Sequence, residues 1–165
     1  MNERLPRATA VIPAGYWPQA QTAGCVTLTY AERCRRRIRL VDDGGQPFLL
    51  DLDKPVRLAD GDGLQLMGNG FIRVVAAQQK LLEARAKNPQ HLARLAWHVG
   101  NRHTAAQVTE GLTLRLIDDA VLRLMLQGLG AELSTIEAPF HPEGGAYAGS
   151  DAAHGHAHGS DAHTH

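Results

Sequence analysis

Residues 88–103, NPQHLARLAWHVGNRH, constrain the fold most. Asn88 suits a helix N-cap, and Pro89 suits the first helical position, where a missing N–H costs nothing. Leu92, Leu95, Ala96 and Val99 recur at i, i+3, i+4 and i+7, the stripe of a helix with one face on a core. Gly100 is the expected residue just past the last turn, ending the helix. Short strands surround it. KLLEARA (80–86) reads as one strand, although Leu, Glu and Ala also suit a helix. AAQVTEGLTLRLI (105–117) reads as a hairpin around TEG. DDAVLRLMLQGLG (118–130) reads as a second helix, capped by Asp118 or Asp119, with Val121, Leu122, Met125, Leu126 and Leu129 as its stripe. AELSTIEAPF (131–140) closes the series as a strand. The order β-α-β-β-α-β is that of a ferredoxin-like domain.

The texture before residue 76 differs. CVTLTY (25–30) alternates, CRRRIRLV (34–41) alternates in part, DDGGQP (42–47) is a turn cluster, and FLLDL (48–52) is another strand. Residues 34–52 therefore read as a hairpin. DKPVRLADGDG (53–63) is a loop and LQL (64–66) a short strand, a rhythm that suits a small β-sandwich or barrel. The expected organisation is α+β: a β-rich N-terminal domain over 1–76, a ferredoxin-like domain over 77–140, and a disordered His-rich tail over 141–165.

Charge and composition exclude several classes. Lysine plus arginine equals aspartate plus glutamate at 17 each, so bulk charge does not favour nucleic acid. No apolar run is long enough to span a membrane, and the N-terminus lacks a signal-peptide layout, so the expectation is a cytoplasmic protein that binds neither nucleic acid nor membrane. Cys25 and Cys34 form no CxxC pair and read as ordinary thiols. Five arginines fall within residues 33–39, without interleaved aromatics, and read as a solvated strand face or a surface for an acidic partner. There is no H-E-x-x-H, P-loop or G-x-S-x-G, and Asp118 and Asp119 are explained by capping, so no enzyme is expected.

Histidine is the remaining signal. The chain ends HGHAHGSDAHTH (154–165), with histidines at 154, 156, 158, 163 and 165. Imidazole suits Ni(II), Cu(II) and Zn(II), and H-x-H spacing with glycines at 155 and 159 lets neighbouring rings bend onto one ion. The interleaved Ala, Gly, Ser and Asp set this tract apart from a uniform purification tag. His103 follows the first helix and is placed to be exposed. Alone it supplies too few ligands, so it needs the tail or an identical histidine across a two-fold axis. His91 and His98 are too far apart on one helix edge to share an ion, and read as packing or surface residues.

GNRH (100–103), FHPEGGAYAG (140–149) and a histidine-rich end, in this order, resemble the UreE-type urease accessory proteins, which are nickel metallochaperones. RRRIRLVDDGGQPFLLDL and LADGDGL are similar to that family's first domain. The resemblance implies a β-rich partner-binding domain followed by a ferredoxin-like metal-binding domain. It implies a homodimer in which His103 from each subunit meets at the two-fold axis around one Ni(II). It also implies that His154, His156, His158, His163 and His165 add ligands or hold further metal. His141, close to the tail in sequence, is a further candidate ligand. The implied partners are the urease accessory GTPase and, through it, the apo-urease complex. Some members carry additional histidines leading into the second helix. Here that stretch reads LRLIDDAV (114–121), so an auxiliary site of that kind is not expected. Zn(II) and Cu(II) are expected competitors for the nickel cargo. Three rivals remain at this level: a nickel or zinc buffer, a metal-dependent hydrolase, and a nucleic-acid module using Arg35, Arg36 and Arg37.

Overall fold

The computed structural model describes residues 5–144. They are mixed α+β, and the strands fall into two sheets that change over at Ala77.

The first sheet has six strands: β1 (Arg7–Ile12), β2 (Thr22–Leu28), β3 (Arg37–Val41), β4 (Pro47–Asp51), β5 (Gly63–Leu66) and β6 (Phe71–Ala76). Their order across the sheet is β2-β6-β5-β1-β4-β3. The expected hairpin is present as the antiparallel β3–β4 pair, Arg37 opposite Asp51. Two pairings, β1 with β4 and β2 with β6, are parallel. Side chains alternate as the pleat demands, and one face collects Ala8, Val26, Leu28, Leu40, Phe48, Leu50, Leu64, Ile72 and Val74 into a core. The sheet curls until its two edges meet. Asp43, in the β3–β4 turn, donates its N–H to Cys25 O (2.8 Å) and accepts from Thr27 N–H (3.0 Å).

A four-residue helix, α1 (Tyr30–Arg33), lies between β2 and β3. Thr29 and Glu32 form a capping box around its N-terminus, a T-x-x-E signature visible in the sequence. This helix replaces the end of the strand expected over 25–30 and delays the next strand to Arg37.

The second sheet contains β7 (Gln78–Arg85), β8 (Gln107–Thr109), β9 (Thr113–Ile117) and β10 (Glu132–Pro139), all antiparallel in the order β10-β7-β9-β8. With α2 (Pro89–Asn101) and α3 (Ala120–Gly128) this is the ferredoxin-like arrangement. Both helices cover one face. Leu95 and Val99 of α2 and Leu126 of α3 pack in one cluster with Leu82, Ala84, Leu114 and Leu116. Two of the expected stripe residues do not face this core. Ala96 is exposed, and so is Val121, because Leu122 and Leu126 already fill the width of α3's contact with the sheet.

Asp119 is the N-cap of α3, accepting from the N–H groups of Val121 and Leu122 at 2.9 Å each. Asp118 instead pairs with Arg123 (2.7 Å) and Lys80 (3.4 Å). Cys25 and Cys34 are both free. Among the described residues, no helix is long and apolar enough to cross a membrane.

Candidate metal centre

The C-terminal end of α2 carries the candidate ligand. Asn88 caps the other end, its side chain accepting from His91 N–H at 2.8 Å, with Pro89 next to it. Leu95 and Val99 seat the helix on the sheet, so its last turn is held rigidly. Gly100 does not end the helix. It keeps a helical backbone, and the helix runs on to Asn101 with Arg102 as its C-cap. The left-handed position falls to His103, at φ +52°, whose N–H donates to Gly100 O (2.9 Å). A side chain with a Cβ rarely takes that conformation, and such outliers concentrate at functional positions. The backbone reversal leaves His103 exposed at the helix end.

The other histidines separate by role. His91 is committed to structure: its Nδ1 accepts from Lys87 N–H (3.1 Å), so its Nε2 donates to Leu129 O (2.9 Å). With both ring nitrogens used, His91 ties the start of α2 to the end of α3 and has no lone pair left for a metal. His98 is half-buried and edge-on to the Trp97 ring. His141 is exposed, and its backbone N–H donates to Gln107 Oε1 (3.1 Å). His154, His156, His158, His163 and His165 lie outside the described residues. Among the described residues, no three side chains of metal-ligating type gather in one place. His103 is thus a lone imidazole on a fixed helix terminus.

A cleft of about 540 Å³ adjoins this end of the molecule, lined by Tyr30, Arg102, Thr104, Ala105, Ile117, Asp118, Asp119, Val121 and Leu122. Its carboxylates are occupied. Asp118 is held below the usual carboxylate range, first by its hydrogen bond from Arg123 and then by Lys80. Asp119 is spent on capping. Both of the Asp119 cap bonds fall on Oδ1.

The arginine cluster is not uniformly solvated. Arg37 pairs with Asp51, which also pairs with Arg7, and Arg39 is exposed on the same strand. Arg33, however, is only 2% exposed. Its guanidinium lies over the Tyr30 ring and donates to Leu58 O and Phe140 O. The sequence reading, a solvated strand face, fails for Arg33 because α1 turns it inward. The T-x-x-E box that marks α1 is the signal that could have separated it from its neighbours.

Comparison with known proteins identifies two matches that divide the chain at the same point as its sheets. The family described as UreE urease accessory protein, N-terminal domain, matches residues 1–77. The family described as UreE urease accessory protein, C-terminal domain, matches residues 79–165. Among individual relatives, the urease accessory protein UreE of Bradyrhizobium sp. (strain ORS 278) is 48% identical over 149 residues, covering 90% of this chain and 70% of the relative. That of Rhizobium meliloti (strain 1021) is 46% identical over 153 residues, covering 93% of this chain and 94% of the relative.

Proposed function

The chain belongs to the UreE family of urease accessory proteins, and we propose that it acts in urease maturation as a metallochaperone whose cargo is Ni(II). It is a carrier and not an enzyme. His103 of two subunits forms the primary site across a homodimer axis, and the tail histidines His154, His156, His158, His163 and His165 supply exchangeable ligands. The partners are the urease accessory GTPase and the apo-urease complex, in the cytoplasm.

The observation that carries this reading is the exposed, lone His103 on a fixed helix end, with no further ligands gathered around it among the described residues. One imidazole cannot retain a metal, so the site needs ligands from another chain or from the tail. The outer face of α2 supports a second copy. Trp97 is 63% exposed, Ala93, Ala96 and Gly100 around it are small, and Leu124 on α3 is 72% exposed. A large aromatic anchor among small residues suits close helix packing at an interface. A site shared between subunits and completed by exchangeable ligands can release its ion when a partner offers better ones. Imidazoles ligate only when deprotonated, so affinity falls on acidification. By intrinsic affinity Cu(II) outcompetes Ni(II), so selectivity comes from metal availability and from partners, with Zn(II) a weaker competitor than Cu(II).

The alternative is a general nickel or zinc buffer operating through the tail. Calorimetric nickel titration of His103→Ala and of a chain lacking residues 150–165 separates the two. The chaperone reading expects His103→Ala to remove the tightest site and the deletion mainly to lower the number of ions bound. An intact tightest site in His103→Ala would overturn it.

A further inference from the structure

Among the described residues, two of the four sheet edges are covered. Asp43 occupies the free side of β2, donating to Cys25 O (2.8 Å) and accepting from Thr27 N–H (3.0 Å). The chain leaving β10 crosses to β8. There Glu143 N–H donates to Ala106 O (2.8 Å), Glu143 Oε1 accepts from Val108 N–H (3.2 Å), and Arg57 Nη1 holds Pro142 O and Glu143 O at 3.0 Å each. β3 is different. It ends the order of the six-stranded sheet and pairs with β4 alone. Leu52 N–H donates to Arg36 O and Asp42 N–H to Gln46 O, so residues 36, 38, 40 and 42 direct their backbone groups at β4. The N–H and C=O groups of Arg37, Arg39 and Val41 point the other way. Among the described residues these groups have no hydrogen-bond partner, and all three residues are exposed.

This open edge is basic. Arg37 and Arg39 stand on the outer face of β3, with Ile38 and Leu40 turned inward, and the exposed Arg35 and Arg36 precede them. Among the described residues the strip pairs with a single carboxylate, Asp51, which Arg37 (3.3 Å) shares with Arg7. Asp51 is held below the usual carboxylate range, first by its hydrogen bond from Arg7 and then by the charges of Arg37 and Arg36. Arg35, Arg36 and Arg39 make no ion pair among the described residues. Basic and acidic residues balance over the whole chain, so the strip is a local excess. Charge on an edge strand deters self-pairing. A second β3 laid here sets arginine against arginine and is refused, whereas a strand of opposite sign is not. The devices that refuse every strand are absent. Arg37–Val41 holds no proline, and it meets Asp51–Pro47 without the register shift of a bulge.

We infer that the outer edge of β3 is a docking site for a short acidic segment of a partner protein, which adds to the sheet as an extended strand. Backbone pairing to Arg37, Arg39 and Val41 holds the segment, and its acidic side chains meet Arg37 and Arg39 on the outer face. The exposed Val41 offers an apolar contact at one end. The run from Arg37 to Val41 is about 14 Å long at ~3.4 Å per residue, room for about five residues. The turn at Asp43, closed against β2, bounds it on that side. A nucleic acid answers the charge but not the alternating donors and acceptors of a strand edge. β10 of a second copy, with Glu132 and Glu137 exposed, also has the right sign. That contact joins two different surfaces head to tail, the kind that propagates unless its rotation closes a ring, which favours a different protein as the occupant. The inference concerns the first half of the chain and does not rest on the nickel reading.

The test uses the full, metal-free chain at low ionic strength and two synthetic peptides. One alternates glutamate and valine. The other has the same sequence with its backbone nitrogens methylated, which keeps the charge and removes the donors. Binding is followed by NMR. The unmethylated peptide should slow amide exchange with water at Arg37, Arg39 and Val41, and leave Ile38 and Leu40, already bonded to β4, unchanged. The methylated peptide should bind at least about tenfold more weakly. Arg35→Glu with Arg39→Glu should weaken the unmethylated peptide by about tenfold, whereas Arg35→Lys with Arg39→Lys should bind it like the parent. Binding without the alternating protection, equal binding of the two peptides, or no loss on charge reversal overturns the inference. So does tighter binding of an oligothymidylate carrying the same number of negative charges, which makes the occupant a nucleic acid. Concentration-dependent association of the chain alone that Arg35→Glu with Arg39→Glu abolishes makes the occupant a second copy and overturns it equally.

Discussion

Replacing His103 with glycine should make the metal-free protein more stable while removing its tightest metal site. His103 sits at φ +52°, in the left-handed region. That conformation costs a residue with a Cβ about 1–2 kcal/mol. Glycine escapes this cost but gives up about 0.5–1 kcal/mol more conformational entropy on folding. The difference leaves a net gain of about 0.5–1 kcal/mol, since His103 is exposed and surrenders no packing. For a chain of this size that is a rise of about 1–3 °C in Tm. His103→Ala is the control, because alanine keeps the Cβ and loses the imidazole. Urea unfolding of both variants, metal-free and at one protein concentration, should give His103→Gly the higher midpoint with an unchanged slope. Adding nickel reverses the ranking against the parent, because ligand at 100 times Kd adds about 2.7 kcal/mol to a chain that binds it. If His103→Gly unfolds at the same or lower urea concentration than His103→Ala, the strain assigned to His103 is wrong.

Two further outcomes follow from the end of the sheet nearest His103. Asp119→Ala removes the acceptor for Val121 N–H and Leu122 N–H at the start of α3 and should cost about 1 kcal/mol, near 3 °C in a thermal melt; an unchanged melt would exclude the cap. Asp118 is held below the usual carboxylate range by Arg123 and Lys80, so its contribution is full above the unfolded pKa of about 4 and is lost as pH falls through the lower folded value. Asp118→Asn should therefore be less stable than the parent at neutral pH, with the gap closing on acidification; a gap that stays constant from pH 7 to pH 2 contradicts this sign.

Much of the second half is legible because its signals are local. A cap, a proline and a 3.6-residue stripe place α2, and turn residues around TEG place the β8–β9 hairpin. Gly100 misleads because a glycine near a helix end is as compatible with one more turn as with termination, and the next residues decide. The first half is less legible. Its hairpin is local, but β1–β4 and β2–β6 are parallel pairs joined through long stretches, and no periodicity announces which distant strand is the partner. β1 and β6 lie in segments whose alternation is weak. At the site, GNRH isolates His103, but the inward turn of Arg33 and the path of residues 140–143 depend on contacts across the two halves. Charge and spacing within one segment do not encode those contacts.

The position of β7 bears on how the chain survives its own synthesis. It is the first strand of its sheet to be made, yet it sits second in the order, and its neighbour β10 is the last element made among the described residues. Glu132 follows Arg85 by about 47 residues. At ~5–20 residues per second, one side of β7 waits roughly 2–9 s for its partner. All the strands of the N-terminal sheet lie before Ala77, so their pairing does not wait for this interval. During this interval the side of Gln78–Arg85 that will receive β10 is an unpaired strand edge, open to pairing with another chain. Slower translation across residues 86–131 prolongs that exposure, and faster translation shortens it.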